Sequence, residues 1–421
     1  MRFALPALCL TFAALAALIA SQSQSHAYSS IKVFDNGEAG FGREVRWEMA
    51  ATRTNQANGR ILYRIGVNGT ADTLTGPFNE FAAIQKAFSV WASIDGLDLD
   101  FEFAGTTSNP AEDGNDDVNT IYWATGGFGP GELAVTTTTF DVTNGQILDA
   151  DLAFNDDYVW DTYAENVTVG SAGRSAIRQT AVHEIGHFLG LDHSFLGRAT
   201  LFPFTDAGAI SGISLAHDDI SGLYAAHADP SALTPNQNGS VSGTVTLSGT
   251  GRLGVQVTLI DTATGRPIVS ALSDRATPVS TAGAYRIENV PAGNYWVVAS
   301  PILTTDIGFY YSQAETLTDF SPTILGVAAD MSGAPTILSV GQNEDLAGID
   351  FALTAAAGFF EANDTVATAS AIAVGDALGA RIESTSDLDH YRFNAQQGET
   401  VSIRVHADGM GSDLNPFLVL Y

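Results

Sequence analysis

Residues 183–194 read HEIGHFLGLDHS and hold three histidines and one glutamate, in a chain that has only 8 histidines. On a helix, side chains four positions apart share one face, so His183 and His187 project together. Val182, Ile185 and Leu189 form a separate apolar stripe that suits a buried core. Two neutral imidazoles at this spacing can hold one zinc ion. The stretch therefore predicts a metal site on a helix.

The third histidine reaches that site only if the chain turns. If the helix continued, His193 would lie about 9 Å further along the axis and would face the wrong way. Glycine adopts the left-handed conformation that ends a helix at little cost, so Gly190 is predicted to turn the chain. Glu184 is offset by one position from the first histidine, and we expect it to act as a general base rather than as a ligand. The alternative is a chance match in which the histidines are structural.

The full spacing HExxHxxGxxH, followed directly by Ser194, resembles the matrixin branch of the metzincin zinc metallopeptidases. The surrounding sequence is similar over about residues 58–227: AIQKAFSVWASI resembles the first matrixin helix, GELAVTTTTFDVTNGQILDADLAFN the edge strand and the next strand, and LAHDDISGLYAAH the start of the last helix. The resemblance implies an α+β zincin fold. It also implies one catalytic zinc on the three histidines and Glu184 as the base.

The resemblance further implies a substrate site on a sheet edge. An extended peptide would add a strand beside Leu133–Thr137, in particular at Leu133, Ala134 and Val135, and main-chain hydrogen bonds would supply affinity. The expected function is a zinc-dependent endopeptidase acting on extracellular proteins. One rival is an inactive surface or matrix-binding protein with a degenerate peptidase domain, which the intact Glu184 disfavours. Another is a zinc hydrolase of a non-peptide bond, which the edge strand disfavours.

The sequence departs from the metzincin pattern at three places. Metzincins carry a methionine beneath the zinc, but no methionine occurs between Met49 and Met331, and Leu201 in ATLFPF takes that position. Leucine is apolar and close to methionine in volume, so support of the zinc site is expected to survive. A second, structural zinc is not expected, because no histidine lies between His26 and His183. A propeptide cysteine that blocks the zinc is also absent from the predicted mature chain.

Calcium is a second candidate metal. Carboxylate and amide oxygens cluster in EDGNDDVN (112–119) and in DADLAFNDD (149–157), and hard oxygen ligands suit calcium. Neither stretch has the spacing of an EF-hand. Solvated acidic loops explain both stretches equally well.

The first 27 residues are typical of a secretory signal peptide. They contain Arg2, an apolar run to about Ala20 and the small-x-small sequence SHA before Tyr28. We therefore expect a secreted, extracellular protein, and the resemblances to known families imply a bacterial origin. Cys9 is the only cysteine and lies in this segment, so the mature protein is expected to lack disulfides and thiolate ligands.

Composition limits the partners. The chain has 18 Lys and Arg against 47 Asp and Glu and a formal charge of −29. Phosphate binding needs clustered cations, which removes nucleic acid from the expected partners. No segment beyond the signal peptide is apolar for long enough to span a bilayer. We expect a monomer that acts on protein or peptide substrates.

Hydrophobic periodicity predicts the elements of the first domain, 28–230. Strands are expected at 60–67, 97–103, 119–124, 133–141 and 145–155, and helices over about 76–94 and 171–189. Strands with helices set among them indicate an α+β domain.

Two further domains are predicted after a polar linker at 231–239. Residues 240–355 alternate in short strands and resemble the carboxypeptidase regulatory-like β-sandwich, most specifically in VPAGNYWV; a spacer role is slightly favoured over adhesion. Residues 356–421 resemble the front part of the bacterial pre-peptidase C-terminal domain. The chain ends at FLVLY, an apolar run with no turn after it, so this last β domain is expected to be incomplete.

Overall fold

The computed structural model describes most of the chain up to residue 355 and short stretches beyond it. The described residues are 8–11, 32–34, 42–49, 53–70, 79–97, 99–108, 116–141, 143–162, 173–205, 211–227, 238–252, 254–275, 282–301, 320, 322–327, 335–355, 367–371 and 390–394. The chain divides into two compact units with the main boundary between Pro235 and Asn236.

The first unit combines strands with three α-helices. Its strands are β1 (Leu8–Thr11), β2 (Lys32–Phe34), β3 (Gly42–Glu44), β4 (Gln56–Ala57), β5 (Arg60–Gly66), β6 (Phe101–Thr107), β7 (Thr120–Ala124), β8 (Ala134–Phe140), β9 (Ile147–Asn155), β10 (Trp160–Asp161) and β11 (Ser175–Ala176). Its helices are α1 (Glu80–Ala92), α2 (Ile177–Phe188) and α3 (His217–His227), with a 3₁₀ turn at Ser211–Ile213. None of the described helices is long and apolar enough to cross a membrane.

One mixed sheet carries the first unit. Its strand order is β1-β8-β9-β7-β5-β4, and β6 also pairs with β5. The pairs β9–β7, β7–β5 and β5–β6 are parallel, whereas β8 is antiparallel to β9 and β4 is antiparallel to β5. The antiparallel step from β8 to β9 follows from the short VTNG connection, because adjacent strands joined by a few residues must reverse direction. The parallel steps are crossovers, the first of which contains α1.

Helices α1 and α2 pack against each other. α1 begins at its N-cap Asn79, whose side chain accepts a hydrogen bond from the N–H of Ala82 at 2.9 Å, as expected for an N-cap. Its buried stripe includes Phe88 and Trp91. The indole N–H of Trp91 donates to the carbonyl of Val182 in α2 at 2.9 Å, and Phe88 meets Phe188 edge-on at 5.5 Å between centroids. Helix α1 therefore stabilises the position of α2 through Trp91 and Phe88.

Three predicted boundaries were wrong. The helix predicted to begin at about residue 76 begins at Glu80, after its N-cap Asn79. Pairing with distant strands explains the other two. The helix predicted from residue 171 begins at Ile177, because Ser175–Ala176 form β11 and pair in parallel with β10. The strand predicted at 97–103 lies at Phe101–Thr107, where Ile61 of β5 pairs with Phe101. The other strands predicted in this domain agree with the structure to within two residues.

β8 has an outer edge with two distinct parts. β1 pairs antiparallel with Thr137–Phe140, with Leu8 opposite Phe140 and Thr11 opposite Thr137. In the described part of the chain, no strand pairs with the outer edge at Ala134 and Val135. These are two of the three residues predicted to bind an extended substrate.

The second unit is built from strands. They are β12 (Gly239–Leu247), β13 (Thr250–Gly251), β14 (Gln256–Asp261), β15 (Pro267–Leu272), β16 (Asp274–Arg275), β17 (Ala282–Val290), β18 (Gly293–Ser300), β19 (Thr323–Ile324), β20 (Leu338–Val340), β21 (Asp345–Leu346), β22 (Phe351–Leu353), β23 (Ser370–Ala371) and β24 (Tyr391–Arg392). One sheet has the order β13-β12-β17-β16, with β21 and β22 also on β12, and another has the order β15-β14-β18-β19, with β20 also on β18.

The second unit agrees with the β-rich pattern predicted for its sequence. The alternating stretches predicted as strands correspond to β12, β14, β17 and β18, whereas the predicted last strand at 346–353 is divided between β21 and β22. From 356 to 421, only 367–371 and 390–394 are described, and there β23 pairs in parallel with β24. The domain boundaries, the sandwich packing and the incomplete last domain stay predictions.

Candidate metal centre

Gly190 ends α2 with two hydrogen bonds that reverse the chain. The N–H of Gly190 donates to His187 O at 2.9 Å and the N–H of Leu191 to Gly186 O at 3.0 Å, which is the Schellman pattern of a helix end. Gly190 has φ +90°, and a Cβ there would lie 1.9 Å from the carbonyl oxygen of Val45. The position thus needs glycine for its backbone conformation and for the close approach of another chain segment.

This turn brings the third histidine to the first two. One ring nitrogen from each of His183, His187 and His193 lies within 4.8 Å of the others. The ring centroid of His193 is 5.1 Å from that of His183 and 4.6 Å from that of His187. Within the described residues this is the single group of three or more His, Cys, Asp or Glu side chains that converges closely enough for a metal ion.

Hydrogen bonds fix the tautomers of the two helical histidines. The Nδ1 of His183 lies 2.7 Å from Thr200 O, and the Nδ1 of His187 lies 2.8 Å from Leu191 O. A carbonyl oxygen only accepts, so each Nδ1 carries the proton and each Nε2 keeps its lone pair. Those two Nε2 atoms are 3.2 Å apart.

The donor set fits zinc. Two lone pairs at that separation repel unless a cation lies between them, and two nitrogens on a tetrahedral zinc are about 3.3 Å apart, given Zn–N bonds of about 2.0–2.1 Å. Burial lowers the pKa of both His183 and His187 to about 3, so both imidazoles are neutral at pH 7. Neutral imidazole is the form that binds a metal.

Glu184 follows His183 on α2 and is buried, with 5% of its surface exposed. Its Oε2 accepts a hydrogen bond from the hydroxyl of Thr136 at 2.7 Å. Burial raises the pKa of Glu184 to about 7, against the opposing hydrogen bond from Thr136. A carboxylate with a pKa near neutrality is suited to take up and release a proton.

Leu201 lies directly beneath the helix that carries the histidines. It is fully buried, and a Cβ on Gly186 would approach Leu201 Cδ2 to 2.5 Å. Gly186 lies between the two helical histidines in sequence, so Leu201 packs against the backbone at the centre of the site. The packing of Leu201 against the helix is thus shown, whereas its role in place of the metzincin methionine stays a prediction.

A buried carboxylate of α3 holds the segment that carries Leu201. Asp219 accepts hydrogen bonds from the N–H groups of Thr200 at 2.9 Å, Leu201 at 3.0 Å and Ala216 at 2.8 Å. Burial raises the pKa of Asp219, and these three donors oppose that rise. Because the carbonyl of Thr200 also orients His183, Asp219 acts on the metal centre through the backbone.

A second buried polar cluster lies at the start of β9. Asp149 is 1% exposed, and neither of its carboxylate oxygens has a hydrogen-bond partner. Burial, followed by the charges of Asp151, Asp116 and Asp117, raises the pKa of Asp149 to about 8, and Arg53 opposes the rise. This cluster joins parts of the two acidic stretches noted in the sequence; residues 112–115 lie outside the described residues.

Sequence reasoning missed three residues of the centre: Thr136, Gly186 and Asp219. The run TTTT at 136–139 is a period-2 pattern that places alternate hydroxyls on one face. That pattern offered a signal for Thr136. Nothing local marks Gly186, which meets Leu201 from 15 residues away, and the bonds of Asp219 to Thr200 and Leu201 likewise span 18 to 19 residues.

Comparison with known proteins agrees with this geometry. Residues 53–228 match the family model described as Matrixin. The chain is 30% identical over 158 residues to macrophage metalloelastase of Oryctolagus cuniculus, covering 36% of this chain and 30% of that protein. It is 30% identical over 176 residues to stromelysin-1 of Mus musculus, covering 41% and 32%. It is 31% identical over 140 residues to the hatching enzyme of Paracentrotus lividus, covering 33% and 21%.

The chain spans about a third or less of the length of these relatives. The similarity is therefore to the segment that contains the histidines and not to the whole proteins. Within that segment, the Matrixin match and the histidine triad together support a zinc metalloendopeptidase.

Proposed function

We propose that this chain is a secreted zinc endopeptidase that hydrolyses peptide bonds of extracellular proteins, with Glu184 as its general base. One observation carries the proposal. His183 and His187 each donate their Nδ1 proton to a carbonyl oxygen, so their Nε2 atoms are unprotonated. Ring nitrogens of these two residues and of His193 converge, and the buried carboxylate of Glu184 follows His183 on the same helix.

In this proposal His183, His187 and His193 hold the zinc. When bound, zinc supplies a Lewis acid that polarises a carbonyl and lowers the pKa of water. Glu184 takes the proton of the attacking water and passes it to the leaving amine. Its burial excludes bulk water from the carboxylate, which strengthens its electrostatic interactions.

The outer edge of β8 is the proposed substrate site. Ala134 and Val135 offer main-chain groups that no described strand uses, and Leu133 immediately precedes them. An extended peptide pairing there would gain regular main-chain hydrogen bonds. If residues 1–27 are removed on export, as the sequence pattern predicts, the pairing of β1 with Thr137–Phe140 is lost and the available edge lengthens.

The rival proposals differ in what they require of the site. An inactive matrix-binding protein has no need for a buried carboxylate whose pKa lies near 7. A hydrolase of non-peptide bonds has no need for the outer edge of β8 at Ala134 and Val135, with which no described strand pairs. Both features favour peptide hydrolysis.

The test uses the full chain and its Glu184→Ala variant. Bound zinc is measured, and casein and gelatin cleavage are assayed side by side. We expect about one zinc per wild-type chain, and the variant to keep zinc while losing about 100- to 10,000-fold in kcat. A zinc-loaded wild type that cleaves neither protein, nor a set of mixed peptides, would refute the peptidase proposal.

Calcium is proposed at the cluster around Asp149. The proposal is supported by the buried carboxylate of Asp149, whose two oxygens have no hydrogen-bond partner. It is also supported by the negative charges of Asp151 and Asp116, which act on Asp149. Calcium also takes main-chain carbonyls as ligands, so fewer than three side chains suffice. The response of wild-type and Asp149→Asn stability to added calcium chloride tests this proposal.

A further inference from the structure

Thr136 lies on β8, facing α2, with none of its surface exposed. Its hydroxyl oxygen is 2.7 Å from Oε2 of Glu184 and 3.0 Å from the main-chain oxygen of the same residue. Among the described residues, Thr136 supplies the side-chain hydrogen bond to this carboxylate. A buried, directed contact of this kind is not required by helix packing alone, for which an apolar residue would serve.

The direction of the bond follows from the groups. An ionised carboxylate only accepts, so the threonine hydroxyl is the donor. A hydroxyl has one proton, and the shorter of the two distances is to Oε2. Hydrogen bonds to a charged acceptor are the stronger ones, so this bond fixes which carboxylate oxygen is engaged.

The neighbouring threonine shows why the contact is specific. Thr138 follows by two residues, on the same face of the strand, and its hydroxyl lies 3.3 Å from the main-chain oxygen of His187. The strand thus contacts α2 at Glu184 and again three residues later at His187. Only the first of these hydroxyls reaches a side chain that the proposed reaction uses.

We propose that Thr136 is a positioning residue for the general base: its hydroxyl holds Oε2 of Glu184 and leaves Oε1 as the atom that takes the proton from water. This inference rests on the proposed function, since it assigns Thr136 a role only if Glu184 is the base.

The physical need for such a residue is orientation. A glutamate has three rotatable side-chain bonds, and catalytic groups must be held within about 0.5 Å and 10–20° of the productive geometry. One hydrogen bond from a rigid strand removes rotamers in advance of the reaction. Loss of that bond would lower the fraction of chains whose carboxylate is correctly placed, and would change kcat more than KM.

The variants are Thr136→Val, which keeps the shape and removes the hydroxyl, and Thr136→Ser, which keeps the hydroxyl. Thr138→Val is the matched control, because it removes a buried hydroxyl from the same strand face without touching Glu184. For Thr136→Val we expect kcat to fall about 10- to 100-fold, from the usual strength of hydrogen bonds to charged groups, with KM changed less than about threefold. Thr136→Ser and Thr138→Val should stay within about threefold of wild-type kcat.

Two further measurements separate orientation from structural damage. All variants should bind the same amount of zinc as the wild type. In the Glu184→Ala background, Thr136→Val should have no further effect on residual activity, because the group it positions is gone. Crystal structures of the variants, with or without metal, should show Glu184 Oε2 moved from its wild-type place in Thr136→Val and restored in Thr136→Ser.

The outcomes distinguish the two proposals. If the wild type is active and Glu184→Ala inactive, but Thr136→Val cleaves at the wild-type rate, the positioning role is refuted and the proposed function stands. Equal losses in Thr136→Val and Thr138→Val would also refute it. If the zinc-loaded wild type cleaves nothing, the proposed function fails and the role of Thr136 falls with it.

Discussion

The first unit contains two polar clusters that differ in whether their buried polar atoms have hydrogen-bond partners. In the histidine cluster, Thr200 and Leu191 supply carbonyl acceptors to the rings of His183 and His187. In the acidic cluster, Asp149 is 1% exposed and has no hydrogen-bond partner on either oxygen. A buried polar atom without a partner is costly. The first cluster is thus organised by the protein, whereas the second depends on a proton or a cation.

The largest effect is expected from breaking the organised cluster at Gly190. Gly190→Ala combines a positive φ with a Cβ that meets Val45 O at 1.9 Å, and main chain cannot move aside cheaply. We expect a loss of about 3–5 kcal/mol in the free energy of unfolding and a loss of zinc affinity, because His193 is displaced. Urea unfolding and zinc titration measure the two effects.

The matched control is Gly59→Ala. Gly59 also has a positive φ, +78°, but a Cβ there has nothing within 4 Å. It should cost only about 1 kcal/mol, the conformational part. Similar losses in the two variants would show that the approach of Val45 does not constrain the turn.

A smaller, pH-dependent effect is expected in the acidic cluster from Asp149→Asn. The pKa of Asp149 is raised to about 8 in the folded protein, whereas an unfolded aspartate titrates near pH 4. Between these values the folded state binds the extra proton, so wild-type stability falls as pH rises from about 4 to about 8. The variant lacks this slope. Between pH 5 and pH 8.5, the free energy of unfolding of the wild type should fall by about 2–4 kcal/mol relative to that of the variant, as measured by urea unfolding.

Calcium sharpens that experiment. Added calcium chloride should restore wild-type stability at pH 8.5 and leave Asp149→Asn unchanged, because a cation replaces the proton between the carboxylates. Equal responses of the two proteins to calcium would overturn the calcium proposal. A wild type whose stability does not fall with pH relative to the variant would refute the raised pKa itself.

The smallest effect is expected from Leu201→Met, which tests how strictly the floor of the histidine cluster is specified. The two side chains have similar volumes, so the cost should stay under about 1.5 kcal/mol and zinc affinity should be retained. Leu201→Ala serves as the contrast, with an expected cost of about 2–5 kcal/mol from the cavity. Thermal unfolding of both variants provides the measurement. A methionine variant as unstable as the alanine variant would contradict this interpretation.

The sequence predicted those parts of the centre that follow from local rules. Helical spacing places His183 and His187 together, and the glycine rule ends the helix at Gly190 and turns the chain toward His193. These four positions could therefore be predicted directly. The substitution at Leu201 was also visible, since position relative to the histidines defines it. The edge strand was predicted because its alternation and its short connection to the next strand are local features.

The remainder depends on segments far apart in sequence. The start of α2 was misplaced because β11 pairs with β10, and no local pattern indicates that pairing. The carboxylate of Asp219 reads as an ordinary first-turn helix acid, which its bond from the N–H of Ala216 fits, yet it also accepts hydrogen bonds from Thr200 and Leu201 in a distant segment. Asp149 lies in a predicted strand and in an acidic stretch that a solvated loop explains as well as a calcium site, and only the packed sheet shows that it is buried.

The three amides bound by Asp219 have a consequence for motion. Thr200, Leu201 and Ala216 share one acceptor on α3, so none can exchange its hydrogen with solvent by opening alone without leaving that carboxylate short of a donor. The segment under the helix and the start of α3 should therefore open as one cooperative unit. Local opening at the start of α3 would then reach the ring of His183 through Thr200, so the stability of that helix would influence how long a metal bound at the three histidines is retained.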